Sequence, residues 1–351
     1  MARAIKNMEN RKQKESVISG VSILRILATV GVVCLHTNST IVENPSLFEI
    51  SDNQWHFFDA CHMIWNWCVP VFFMITGALL LKSDRIIDYK LCLEKYCKRV
   101  LLALVLFGIP FALLILIGNG EQGISLAWKP ILYVLEGKSF SHLWYLYALL
   151  GVYLILPVVK SFISKNDDNE LKFLIVLLMI FSVVIPSINQ VFDLHVISFF
   201  SMWYPLFYVL VGYYIMWIWK GENKYGIFLV VIILTVTWFV LSYHDVPMLR
   251  RMDYNNFLIV VESVLVFCLF KNIDISSDLV WKLDRLCFGV YLIHPVFIHF
   301  TYRVLKITPM MFGDRYGYII AVWIFAIVFA IISFVCSWIM NLIGPLKRYV
   351  L

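Results

Sequence analysis

The chain has 351 residues, of which 61% are hydrophobic, 16% aromatic and only 15% charged, with a formal net charge of +6. An ordinary soluble domain is about 45–50% apolar, and a water-soluble fold of this length could not hide the excess. A disordered chain is excluded as well, because disorder needs low hydrophobicity and high charge. The 8 cysteines lack the spacing of a disulfide scaffold or a zinc site, so no metal is expected. The basic residues form no single exposed face for a nucleic acid. These exclusions leave an integral membrane protein, whose first partner is the lipid bilayer.

A helix crosses the bilayer core with about 20 mostly apolar residues. In chain order, ten runs come near that length: 17–37, 64–81, 100–118, 143–162, 171–188, 203–219, 226–243, 256–271, 286–303 and 317–343. They are continuous and too long for the alternating strands of an outer-membrane barrel, and in lipid a helix satisfies its own backbone. The expected fold is all-α, a bundle of about ten transmembrane helices over 17–343, with a basic tail at 1–16 and a short tail at 344–351. The longer non-membrane segments, 38–63, 82–99 and 119–142, have room for amphipathic or re-entrant pieces but for no soluble domain, with 85–99 a candidate interfacial helix. The basic leader raises the question of a cleaved signal peptide. The first run has no small-residue cleavage site and contains Arg25, which favours a retained helix.

That first run carries two ionisable residues, Arg25 and His36, in a place where burying charge is costly. Eleven residues at about 100° each return to within about 20° of the starting direction, so both side chains share one helix face, about 16 Å apart along the axis. A guanidinium suits a phosphate or a carbonyl oxygen, and an imidazole near its ordinary pKa suits moving protons. The alternative is that Arg25 snorkels to one interface and His36 sits at the other.

Further along, Asp59 and His62 precede the second run, His142 opens the fourth, Glu262 lies inside the eighth and His294 lies near the middle of the ninth. Pro295 follows His294 and frees a backbone carbonyl there. Each has a plainer reading: His294 as a hydrogen-bond partner of a neighbouring helix, and Glu262 as the buried partner of Arg25. Trp144, Tyr145 and Tyr291 fit an aromatic belt or packing, and with His294 they are carried as candidate substrate contacts. No Gly-rich phosphate loop, HExxH or GxSxG pattern occurs, and no cysteine has an activating base beside it in sequence.

Orientation follows from Lys and Arg alone. The tail (Arg3, Lys6, Arg11, Lys12, Lys14), the segment after the second run (Lys82, Arg85, Lys90, Lys95, Lys98, Arg99) and every second loop thereafter outweigh the opposite loops by about three to one. Both termini are therefore expected in the cytoplasm.

Four stretches resemble the membrane-bound acyltransferase-3 family, which O-acylates surface glycans and some other acceptors in bacteria. They are Arg25 and His36 as an Arg–x10–His pair, Val69-Pro70-Val71-Phe72-Phe73-Met74-Ile75-Thr76-Gly77, His142-Leu143-Trp144-Tyr145-Leu146, and Phe288-Gly289-Val290-Tyr291-Leu292-Ile293-His294-Pro295. They stand in the family's order and span essentially the whole chain, with Thr76 where the family usually has Ser. The resemblance implies a bacterial cytoplasmic (inner) membrane location. It also implies acetyl-CoA or another acyl-CoA as co-substrate on the cytoplasmic side, with no tightly bound cofactor. The acceptor it implies is a hydroxyl of a cell-surface glycan or lipid-linked glycan precursor on the outer side.

In this reading His36 is the general base, or alternatively a covalent acyl carrier, and Arg25 is essential through the donor. His142 or Glu262 orients the imidazole, and Lys98 and Arg99 are candidates for the CoA phosphates. Some family members carry an added extracytoplasmic domain. With about eight residues after the last run, the expectation is that this chain completes the transfer alone, as a homo-oligomer, or with a separate extracytoplasmic partner. The competing class is a transporter or flippase of a polar envelope precursor, although no internal repeat of the kind transporters show is visible.

Overall fold

In the computed structural model, which describes residues 2–197, 202–221, 224–244, 253–271, 273, 275, 277–313 and 317–351, every regular element among the described residues is helical. Helix α1 covers Ala2–Val42, so the basic leader runs into the first apolar stretch with no break. Four of its polar side chains bond back to the helix's own carbonyls. The hydroxyls of Thr29, Thr37 and Thr40 donate to the carbonyls of Arg25, Val33 and His36 at 2.7 Å each, and the Asn38 amide donates to Cys34 O at 2.8 Å.

Helix α2 (Asp52–Met63) opens with a capping box at Ser51 and Gln54, and a short turn joins it to α3 (Cys68–Leu80). Together they make one 29-residue apolar unit, Asp52–Leu80. Much of the 38–63 segment expected outside the membrane is therefore helix. Its amphipathic composition hid this, because Asp52, Asp59 and His62 interrupt the hydropathy while Phe57, Phe58 and Cys61 are buried.

Helix α4 (Tyr89–Gly118) likewise absorbs most of the supposed interfacial segment. Its π-type turns at Cys92–Cys97 and Leu104–Gly108 shift side-chain register, which blurs the periodicity in sequence. Further helices, besides short ones such as Lys129–Leu135 and Gly344–Tyr349, are α5 (Ser141–Lys165), α6 (Asp168–Phe192), α7 (Tyr204–Trp217), α8 (Lys224–Tyr243), α9 (Phe257–Phe270), α10 (Asp278–Asp284), α11 (Cys287–Val304) and α12 (Gly317–Met340). Helices α10 and α11 meet at a 58° bend.

All ten expected runs are helical, but they are not ten equal spans. Among the described residues seven helices are long and apolar enough to cross a membrane, and α10–α11 makes an eighth if counted as one. Helices α7 and α9 have only 14 residues each. At 1.5 Å per residue that is about 21 Å, short of a roughly 30 Å hydrocarbon core. Their ends are fixed locally: Pro205 lies in the first turn of α7, and the Asn256 side chain caps α9 by accepting from Leu258 N–H.

The chain packs as two units, Met1–Lys82 with Asp168–Trp338, and Ser83–Asp167 with Ile339–Leu351. In the first unit α1 is central, packing against α2, α3, α9, α10 and α11. The apolar windows of α1 and α2–α3 are each 67% buried, whereas that of α8 is 11% buried, as for an outer helix facing lipid. Helices α3 and α7 pack most intimately, because a Cβ at Gly77 would fall on the Val209 carbonyl and one at Gly212 on the Met74 backbone. Such close backbone approach through small residues is how helices associate where lipid removes the hydrophobic drive. The Trp217 indole N–H donates to Ala78 O at 2.8 Å across the same crossing. An aromatic cluster of Phe57, Phe58, Tyr302, Tyr318 and Phe329 joins α2, α11 and α12.

Candidate active site

The stripe on α1 faces packed helices at both ends. Toward its start, Arg25 Nη1 donates to both carboxylate oxygens of Asp284 at 2.7 and 2.8 Å, with the two side chains only 24% and 11% exposed. Asp284 closes α10 at the bend before α11. It lies just outside the expected span 286–303, where the sequence reads as a loop. The signal was there in its position as an acid one turn ahead of the apolar run carrying His294.

This pairing corrects the sequence-based alternative that made Glu262 the partner of Arg25. Glu262, buried on α9, accepts instead from the Thr235 hydroxyl of α8 at 3.0 Å, and its other carboxylate oxygen has no hydrogen-bond partner among the described residues.

At the other end of the stripe, the rings of His36 and His294 lie 5.2 Å apart, centre to centre, tilted by 38°. Local sequence explains why His294 stands there in one tautomer. Pro295 has no N–H, so the Tyr291 carbonyl loses its helical donor. His294 Nδ1 lies 2.9 Å from that carbonyl and 3.1 Å from Val290 O. Carbonyls only accept, so Nδ1 carries the proton, and in the neutral ring Nε2 is the acceptor. Tyr291 stacks on Phe288 with ring centres 6.2 Å apart and lies 6.4 Å from the His294 ring.

His62 on α2 and His299 on α11 belong to helices that pack against α1. Asp59 is half-buried one turn before His62. Among the described residues no group of three or more His, Cys, Asp or Glu side chains is arranged to hold a metal ion. Beyond α1, burial pushes the Glu43 carboxyl above its ordinary range while Arg303 draws it back. Arg303 also donates to Asn44 Oδ1 at 3.1 Å.

Five candidates belong to the second unit. His142 is buried there, edge-on to Phe111 and Phe140 with ring centres 5.7 and 5.3 Å away. Trp144 and Tyr145 open the long α-helical stretch of α5, their rings nearly perpendicular at 6.3 Å. Lys98 lies over the Tyr349 ring at 5.8 Å. Arg99 donates to Val350 O at 2.7 Å and to Leu351 O, so two of its donors hold the 344–351 segment.

An all-helical, multi-pass membrane protein with a paired cation and facing imidazoles inside its apolar helices is the class these observations define. Residues 18–342 match the sequence family described as an acyltransferase domain, and the chain belongs to this acyltransferase-3 family. No curated protein and no solved structure matches it.

Proposed function

We propose that the chain is a membrane O-acyltransferase of the bacterial inner membrane. It moves an acetyl or similar acyl group from cytoplasmic acyl-CoA to a hydroxyl of a cell-surface glycan or its lipid-linked precursor on the outer side. The observation that carries the reading is the α1 stripe, in which a family-defining Arg and His share one face and are each engaged by the bent α10–α11 pair.

His36 acts as general base. The acceptor hydroxyl yields its proton to the imidazole while its oxygen bonds to the thioester carbonyl carbon. The carbon–sulfur bond then breaks, and the imidazolium returns the proton to the departing thiolate, giving an ester and free CoA. His294 supports this step, because its Nδ1 is committed to backbone carbonyls and its acceptor nitrogen can hold the neighbouring imidazole in one orientation, as third groups do in triads. Glu262 offers an acceptor oxygen inside the bundle for a polyhydroxylated substrate, and Tyr291 a ring beside His294. His142, Trp144 and Tyr145 keep their motif-based assignment to catalysis and the acceptor. Lys98 and Arg99 keep theirs to the donor phosphates, with Arg99 having to exchange its present carbonyl partners for them.

The test is purified protein with acetyl-CoA and a glycan acceptor, following free thiol and acetylated product. H36A and R25A are expected to abolish transfer while eluting and melting as folded protein. Normal transfer by H36A would reject the assigned base, and acceptor translocation without CoA release would favour a transporter.

A further inference from the structure

Asp284 changes what Arg25 is able to recognise. Nη1 is spent on one carboxylate, which leaves Nε–H and the two N–H groups of Nη2 for a ligand. No other residue among those described takes them. The pair is electrically neutral as a unit. Arg285, the next residue, is exposed, whereas Arg25 is paired with Asp284 at 2.7 Å. An incoming phosphate would meet the repulsion of the Asp284 carboxylate along with the attraction of the guanidinium. A neutral group presenting a carbonyl oxygen and a hydroxyl meets donors on Arg25 and lone pairs on Asp284, with no net charge required.

Length points the same way. An extended chain advances about 1.2 Å per bond. From a thioester carbon, the pantoyl carbonyl of a CoA arm is about nine bonds away, roughly 11 Å, and the first phosphorus about fourteen bonds, roughly 17 Å. Adding a contact of about 3 Å at each end lets a fully extended arm match the ~16 Å backbone rise from residue 25 to residue 36 of α1 at its pantoyl group. The phosphates fall well beyond it.

We propose that the Arg25–Asp284 pair recognises the neutral pantoyl amide of the donor arm rather than the CoA phosphates, with Asp284 as the positioning residue that sets this choice. This rests on the acyl-CoA reading above. Three acetyl donors separate the possibilities: acetyl-CoA, S-acetylpantetheine, which lacks phosphates, and S-acetyl-N-acetylcysteamine, which lacks the pantoyl group as well.

R25Q is expected to lose about 100-fold in kcat/KM, the scale of one lost oriented donor, equally with acetyl-CoA and S-acetylpantetheine. The loss should be far smaller with S-acetyl-N-acetylcysteamine, which has no pantoyl group for the side chain to hold. D284N is expected to show the same pattern at about tenfold, with partial recovery in D284E. A loss that disappears already with S-acetylpantetheine assigns Arg25 to the phosphates and overturns the proposal. An equal loss with all three donors makes the pair structural and overturns it too.

The salt dependence of KM for acetyl-CoA gives a second readout if the wild type turns over only the full donor. The slope should be unchanged in R25Q, whereas a shallower slope marks a phosphate contact. Wild-type protein that releases no thiol from acetyl-CoA in the presence of acceptor sinks the acyltransferase reading itself, a result distinct from either donor pattern.

Discussion

Pro295 and His294 show how one residue's chemistry prepares another's. The missing N–H of Pro295 leaves the Tyr291 carbonyl to be capped by His294, and that cap fixes the tautomer presented to His36. An Asn at 294 can also reach back to a helix carbonyl, as Asn38 does to Cys34, but it lacks the imidazole. H294N is expected to keep a melting temperature near that of wild type while turnover falls at least tenfold. H294A should lose turnover and, in addition, about 1 kcal/mol of stability from the abandoned carbonyl. Full activity in H294N would restrict His294 to helix repair. At this scale the sequence disclosed Arg25, His36 and His294, because ionisable residues inside apolar runs stand out by their cost. It did not disclose Asp284 as the partner of Arg25, since pairs separated by 259 positions leave no local pattern.

The crossing of α3 and α7 is an element-scale commitment. Gly77 closes the Val-Pro-Val-Phe-Phe-Met-Ile-Thr-Gly stretch, and its role is the close approach of α7, while the Thr76 hydroxyl is spent on Phe72 O at 2.9 Å. G77A and G212A each push a methyl into opposing backbone and are expected to cost about 3 kcal/mol, read as lower melting temperature in detergent. G151A on α5 meets nothing within 4 Å and should be neutral or stabilising by up to about 1 kcal/mol. Equal melting of G77A and G151A would contradict the packing described. Each of the ten apolar runs that hydropathy located is helical. Hydropathy could not separate full spans from the 14-residue α7 and α9, because an apolar helix packed among others reads like one facing lipid. It missed α2, whose Asp59 and His62 lower the average although its other face is buried.

For the molecule as a whole, the account requires that donor and acceptor work from opposite sides of the membrane, bridged by the ~16 Å stripe on α1. The bias of Lys and Arg toward alternate loops sets the expected direction, with the Arg25 end toward the cytoplasm. Reconstituted vesicles in which the protein's orientation has been determined test this most directly. Acetyl-CoA is supplied only on the face bearing the termini and the glycan acceptor only on the other, with acetylated acceptor measured by mass spectrometry. The account expects product on the acceptor side, none when donor and acceptor are both confined to the face away from the termini, and none from H36A in either arrangement. Product formed with the donor supplied only opposite the termini, or undiminished product from H36A, would contradict it.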